Sequence, residues 1–190
     1  ESRGLGDVYK RQVIGNSRYS LVPTYKDLFE VSKANSGNID LEYSDINIIE
    51  FMEQVCAENE ELLQAKNLQL VTNLPEKEIH VCLDGNKTYR IFENLFTNIS
   101  KYALENTRVF LDVKDIGNSV MIIMKNTSKE PLDFDSDITE RFVRGDKSRT
   151  AEGNGLGLSI AKELCKVQNG ELELSIDGDL FKAKVEFPLA

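Results

Sequence analysis

The chain has 190 residues, 41% of them hydrophobic and only 4 proline, enough to bury the core of one domain with an appendage and to fold without disulfide or metal staples. A net charge of -9 argues against a nucleic-acid footprint or an anionic membrane surface, so any phosphate site must be a local basic island. No apolar run approaches the roughly 18 residues that span a bilayer, no signal peptide opens the chain, and a single histidine leaves no zinc cluster.

In chain order, residues 1–26 carry scattered glycines and no sustained period and read as a poorly ordered extension, with Ser2 to Gln12 foreign to the domain. Periodicity begins with a short helix, Asp27 to Ala34, that Asn35-Ser-Gly-Asn38 ends. Ile39 to Tyr43 alternates like a strand, and Asp45 is placed to cap a helix whose apolar stripe (Ile48, Ile49, Met52, Val55, Cys56, Leu62, Leu63) runs to about Asn67. Leu68 to Thr72 and Ile79 to Leu83 read as strands separated by Asn73-Leu-Pro-Glu76. His80, inside the second, reads as a structural or surface residue with no catalytic partner beside it. The cysteines Cys56, Cys82 and Cys165 are odd in number, widely spaced and set among apolar residues, which suits reduced core thiols of a cytosolic protein.

The most informative stretch is Arg90 to Tyr102. At about 100° per residue, Asn94, Asn98, Lys101 and Glu105 fall within roughly 60° of one another, with Tyr102 at their edge. Phe92, Leu95, Phe96, Ile99 and Ala103 take the other side. Asparagine is a poor helix former because its amide competes for the backbone, so two in line on one face imply a compensating role. A carboxamide oxygen is a neutral, hard ligand suited to Mg²⁺ whose charge phosphates already balance, and Lys101 can reach the same phosphates.

Arg108 to Val113 and Val120 to Met124 form an antiparallel pair through Asp115-Ile-Gly-Asn118, and the second strand runs into Lys125-Asn-Thr-Ser128. Glu140 to Arg149 sets Arg141, Arg144, Lys147 and Arg149 against Glu140 and Asp146, a basic island in an acidic chain. Gly153-Asn-Gly-Leu-Gly-Leu158 then leads into an amphipathic helix burying Ile160, Ala161, Leu164, Cys165 and Val167; such glycines admit close backbone approach, and the helix start offers unpaired N–H groups to an anion. Neither Gly85-Asn-Lys-Thr88 nor Gly145-Asp-Lys-Ser148 has P-loop glycine spacing, and the 153–158 run lacks the dinucleotide pattern. Gly170 is expected to cap that helix, and Leu172 to Phe187 alternates as a hairpin about Asp177-Gly178.

Taken in order, Glu93 to Tyr102 (ENLFTNISKY), Glu140 to Arg149 (ERFVRGDKSR) and Gly153 to Lys162 (GNGLGLSIAK) resemble the N, F and G2 boxes of sensor histidine kinases. The resemblance implies an α+β fold, a two-layer sandwich of the Bergerat type whose mixed sheet carries helices on one face. It makes residues 27–37 the end of the second dimerisation helix and 38–190 the ATP-binding catalytic domain. It also implies ATP and Mg²⁺ as cofactors, with Asn98 as metal ligand and Asn94 beside it. Lys101 and Tyr102 then face phosphates and ribose, Arg144 and Arg149 the lid and phosphate end, and Gly153, Gly155, Leu156, Gly157 and Leu158 the loop and helix start under the triphosphate. Where the family has Asp-x-Gly to read the adenine amino group, this chain has Asn126-Thr-Ser128; an amide oxygen still accepts from an amine, but Ser128 lacks glycine's backbone freedom.

The implied partners are the dimerisation and phosphoacceptor helical hairpin of the same kinase, whose H-E-[LIF]-[RK]-[TN]-P motif this chain lacks, and a response regulator. The whole protein is then a membrane-anchored homodimer with this part cytoplasmic and, alone, monomeric. The competing expectation is a degenerate, nucleotide-insensitive interaction module of the same fold.

Overall fold

The computed structural model describes residues 39–130 and 156–189. The expectations for residues 1–37, for the basic island with Arg144 and Arg149, and for Gly153 and Gly155 therefore lie outside the described residues. The described elements are β1 (Tyr43–Asn47), α1 (Ile48–Glu58), α2 (Glu60–Gln64), β2 (Gln69–Asn73), β3 (His80–Asp84), α3 (Gly85–Tyr102), β4 (Arg108–Asp115), β5 (Ser119–Thr127), α4 (Leu156–Lys166), β6 (Glu171–Asp177) and β7 (Leu180–Pro188).

Strands β2, β4, β5, β7 and β6 form, in that order, a mixed sheet: β2 pairs parallel with β4 and every other neighbour is antiparallel. Strand alternation decides which face is covered. Val109, Leu111 and Val113 of β4, Val120, Ile122 and Met124 of β5, and Phe181, Ala183, Val185 and Phe187 of β7 join Ile91, Phe92, Leu95, Phe96 and Ile99 of α3 and Ile160, Ala161 and Leu164 of α4 in one core. Their alternates, among them Arg108, Phe110, Lys125 and Lys184, point away from the helices. This is the expected two-layer α+β sandwich. β1 and β3 make a separate two-stranded antiparallel ribbon, with Tyr43 opposite Asp84.

Several local expectations are corrected. β1 starts at Tyr43, four residues later than the alternation suggested, because its pairing with β3 sets its limits. Asp45 therefore lies within the strand, and the cap of α1 is Asn47, whose Oδ1 accepts from the Ile49 N–H at 3.2 Å. The expected single helix breaks at buried Asn59, whose Nδ2 donates to the Val55 carbonyl at 2.8 Å and terminates α1. Glu105 falls beyond α3, which ends where Ala103 turns extended (φ -68, ψ 145), and it ion-pairs with Lys66 instead. Beyond α4, Val167 is only half-buried and Gln168 takes the inward position.

The cap there is also not glycine's. Asn169 carries the left-handed backbone (φ 59), while the Gly170 N–H bonds the Cys165 carbonyl at 2.9 Å, a Schellman arrangement. Gly170 is required for space: a Cβ there would meet the Phe187 ring at 2.5 Å. Cys56 and Cys165 are buried as expected, and burial pushes the Cys56 thiol up to about 11, with the Glu53 charge adding to it. Cys165 rises for the same reason, so both stay protonated. Cys82 is exposed on the outer face of β3, because strand alternation turns Val81 and Leu83 inward.

Candidate functional site

α3 is positioned at both ends. Asp84 Oδ1 accepts from the Lys87 N–H at 3.0 Å and caps its start, and two bonds stitch its far end to the end of β5. The Leu104 N–H donates to the Thr127 carbonyl at 2.8 Å, the Lys129 N–H to the Tyr102 carbonyl at 2.9 Å, and Ala103 bridges Ser128. The residues after β5 are thereby held beside Tyr102, and the Lys129 ammonium lies 5.9 Å from the centre of its ring. That edge of the site, including Lys129, was not foreseen from the sequence; a lone lysine after a strand carries no signal of it.

Along the other face of α3, Asn94, Asn98 and Lys101 are half-buried and Tyr102 is exposed, while Phe92, Leu95, Phe96 and Ile99 are no more than 2% exposed. The packing and polar faces separate as the helical period predicts. Asn94 Nδ2 donates to the Arg90 carbonyl at 2.8 Å, which turns its Oδ1 toward the first turn of α4. A Cβ built on Gly157 would come within 3.0 Å of that oxygen, so the glycine lets α4 approach α3 at the polar face. Leu156 opens α4, and Leu158 is buried in the core rather than offered to a ligand by its side chain. Among the described residues, Asn98 and Lys101 take no hydrogen bond or ion pair.

Asn126 supplies the decisive local chemistry. It continues the inward-facing row of Val120, Ile122 and Met124, is 2% exposed, and lies at the end of β5 that is stitched to α3. Its Nδ2 donates to the Thr127 carbonyl at 3.2 Å. A carbonyl can only accept, so this contact fixes the amide with its oxygen pointing the other way. Among the described residues, Asn126 Oδ1 is the one buried side-chain polar atom without a partner. Leaving such an acceptor unmatched costs about 1–3 kcal/mol, a penalty that a ligand donor would remove. Ser128 sits beside it without strain: its backbone is not left-handed, its N–H donates to the Asp179 carbonyl at 2.7 Å, and its Oγ accepts from the Glu130 N–H at 3.4 Å.

His80 differs from its expectation in one respect. It is exposed on β3, but two carboxylates stand beside it: Nδ1 is 2.9 Å from Asp45 Oδ2 and Nε2 is 3.5 Å from Glu78 Oε2. The hydrogen bond to Asp45, then its charge, then Glu78 raise the imidazole above its ordinary 6.5.

Residues 83–190 match the family of histidine kinase-, DNA gyrase B- and HSP90-like ATPases, a span that takes in α3, the Asn126 strand and α4. The chain belongs to this family. Sensor histidine kinases are its relatives in sequence: it is 30% identical over 172 residues to the sensor protein VanS of Enterococcus faecium, across 90% of the chain and 44% of VanS. It is 32% identical over 159 residues to the sensor protein kinase WalK of Staphylococcus aureus, across 80% of the chain and 37% of WalK. The chain thus spans less than half the length of these relatives. In fold it is similar to the histidine kinase AdeS of Acinetobacter baumannii, with a TM-score of 0.71 at 15% identity over 97% of this chain and 93% of AdeS. The catalytic domain of histidine kinase ThkA gives 0.68 at 20% over 78% of this chain and 96% of that one. Full-length ShkA in complex with AMPPNP gives 0.71 at 18% over 87% and 35%. Among the described residues no helix is long and apolar enough to cross a membrane, and no group of three or more His, Cys, Asp or Glu side chains is disposed to hold a metal.

Proposed function

We propose that this chain binds Mg-ATP across the polar face of α3 and serves as the catalytic part of a sensor histidine kinase, transferring the γ-phosphoryl group to a histidine on a helical hairpin outside this sequence. The observation that carries the reading is the orphaned, buried oxygen of Asn126, an acceptor matched to the amino group of adenine. The family's ATPase character and the AMPPNP complex of the structurally similar ShkA support the same class of ligand.

The residues present fit the cofactor. With no carboxylate cluster among the described residues, a divalent ion would rest on the neutral Asn98 amide, with Asn94 beside it and the nucleotide phosphates as its remaining charged ligands. Bound there, Mg²⁺ would neutralise charge on the transferring phosphoryl group. Lys101 and Tyr102 extend that face toward phosphates and ribose; Arg144 and Arg149 are assigned to the lid and phosphate end. Gly153, Gly155, Leu156, Gly157 and Leu158 are assigned to the loop and helix start under the triphosphate, where N–H groups suit an anion. In the transfer, the bond from the γ-phosphorus to its bridging oxygen breaks, a phosphorus–nitrogen bond forms, ADP leaves and the imidazole gives up its proton. The chain contributes positioning and charge neutralisation.

His80 is not the acceptor in this reading. Both its ring nitrogens face carboxylates, which would repel an incoming phosphate, and it sits in the β1–β3 ribbon. The partners are the phosphoacceptor hairpin and a response regulator, in a membrane-anchored homodimer whose catalytic part is cytoplasmic.

Calorimetric titration with Mg-ADP, AMPPNP and GTP, followed by a test for acid-labile phosphohistidine, checks the proposal. Adenine nucleotides should bind and GTP should not; the chain alone should take no label, and added hairpin should become labelled. No binding of any of the three would favour the nucleotide-insensitive interaction module, and label on His80 at the hairpin's rate would overturn the assignment.

A further inference from the structure

A second set of buried polar side chains joins α3 and α4 at the end away from Asn126. Gln168 is 2% exposed, Asp84 3% and Thr88 fully buried. Gln168 Oε1 accepts from the Asp84 N–H at 2.8 Å and from the Thr88 hydroxyl at 3.2 Å, and its Nε2 donates to the Leu164 carbonyl at 3.0 Å. The Asp84 carboxylate is shared in turn: Oδ1 caps α3, and Oδ2 accepts from the Glu42 N–H at 2.9 Å. One connected set of bonds therefore reaches the end of α4, the start of α3 and the chain entering β1.

The two helices pack on each other, and two of their polar contacts lie toward opposite ends of α4. Near the start of α4, Gly157 abuts Asn94 in the proposed nucleotide site; just past its end, Gln168 abuts Thr88. Those points are about 9 Å apart along α3 at 1.5 Å per residue, and they follow opposite chain directions along α3 and α4. Apolar packing tolerates small axial sliding, whereas a buried amide with three matched bonds does not.

We propose that Gln168 is a positioning residue, whose amide sets the axial register of α4 on α3 and so places the glycine-bearing start of α4 against Asn94, while Asp84 extends the constraint to the incoming chain at Glu42. The inference rests on the nucleotide reading above for its functional consequence, but not for its geometry.

The test compares Gln168→Met, which keeps the volume and removes the bonds, with Asn59→Ala, which deletes a buried amide bond at the α1–α2 junction. In each, Mg-ADP affinity is measured by calorimetry, and the Asn94 side-chain amide and Gly157 backbone amide are followed by NMR without nucleotide. Gln168→Met should weaken Mg-ADP by about tenfold and displace both signals; Asn59→Ala should leave affinity within about twofold and the signals in place, whatever its melting temperature. Unmoved signals or wild-type affinity in Gln168→Met, or equal losses in the two variants, would overturn the inference. Should the wild-type chain fail to bind Mg-ADP, the nucleotide reading falls while the two NMR signals still decide the positioning role. If Gln168→Met does not fold, Thr88→Val removes one of the bonds at constant shape and should give a loss of about twofold to threefold with smaller displacements; no displacement counts against the proposal.

Discussion

Two polar regions of this domain have opposite character. Around Asn126 and the outer face of α3, an acceptor is buried and unmatched, and the amide of Asn98 and the ammonium of Lys101 are unpaired among the described residues. His80, by contrast, is matched and wet: both ring nitrogens face carboxylates, and the imidazole side chain is 51% exposed. Reactive residue types do not distinguish the two, since histidine flanked by acids is the more familiar catalytic set. What separates them is the unpaid desolvation in the first, which native folds rarely tolerate without a ligand or partner to relieve it.

The sharpest way to break this contrast is at Asn126. Asn126→Leu removes the orphaned acceptor, so adenine nucleotides should bind more weakly by about 1–3 kcal/mol while the nucleotide-free domain melts no lower than wild type. Affinity falling as stability holds is the signature of a site; Asn126→Asp, which keeps an acceptor, should bind at least as well as wild type. Equal affinity for all three proteins in calorimetry would mean that adenine is read elsewhere.

Asn98→Ala comes next in size. It should lower nucleotide affinity about tenfold in the presence of Mg²⁺ and little in its absence, because a neutral amide ligand matters only through the ion. The fold should be untouched, since Phe92, Leu95, Phe96 and Ile99 carry the packing on the opposite face. Loss of the same size without Mg²⁺ would remove Asn98 from the metal. Smaller again is Gly157→Ala: its Cβ would press on Asn94 Oδ1 at 3.0 Å, against a helix-propensity gain of up to about 1 kcal/mol. A melting temperature equal to or above wild type, with affinity reduced a few-fold, is the expected pair of readings.

How much of this was legible in the sequence follows from what each feature depends on. The two faces of α3 were, because eighteen residues of unbroken period average out local noise. The β4–β5 and β6–β7 hairpins were too, being local in sequence. The parallel pairing of β2 with β4 was not, since nothing within either strand records a neighbour 39 residues away. Asp45 and Asn47 are equally good caps two residues apart, and only the register against β3 chooses between them. Of the residues proposed for the site, Asn94 and Asn98 lie on the polar face of α3, Gly157 abuts Asn94 from α4, and Asn126 ends the inward row of β5. Gln168, Asp84 and Thr88 were missed, although a glutamine four residues after buried Leu164, in line with an apolar stripe, was the available signal. A buried polar residue declares itself in sequence only by breaking such a stripe, and its partners, some 80 residues distant, are set by the packing of α3 on α4.

The smallest effect tests the other half of the comparison. Folding raises the His80 pKa, chiefly through its hydrogen bond to Asp45, so the folded state holds the proton more tightly than the unfolded chain does. The resulting stabilisation is fully present below the ordinary value of 6.5 and is lost as pH rises through the folded-state pKa. As the chain has one histidine, the two carbon-bound protons of its imidazole report its titration by NMR without overlap from another histidine. In Asp45→Asn that titration should move down toward 6.5, and the small difference in melting temperature between the two proteins should shrink at higher pH. Mg-ADP affinity, measured for both proteins at each pH, should be the same within error at every point, because among the described residues the His80, Asp45 and Glu78 side chains bond one another and neither the Gln168 set nor the polar face of α3. An affinity ratio that followed the His80 titration would couple the two regions, and the matched cluster would then have to be counted with the site rather than against it.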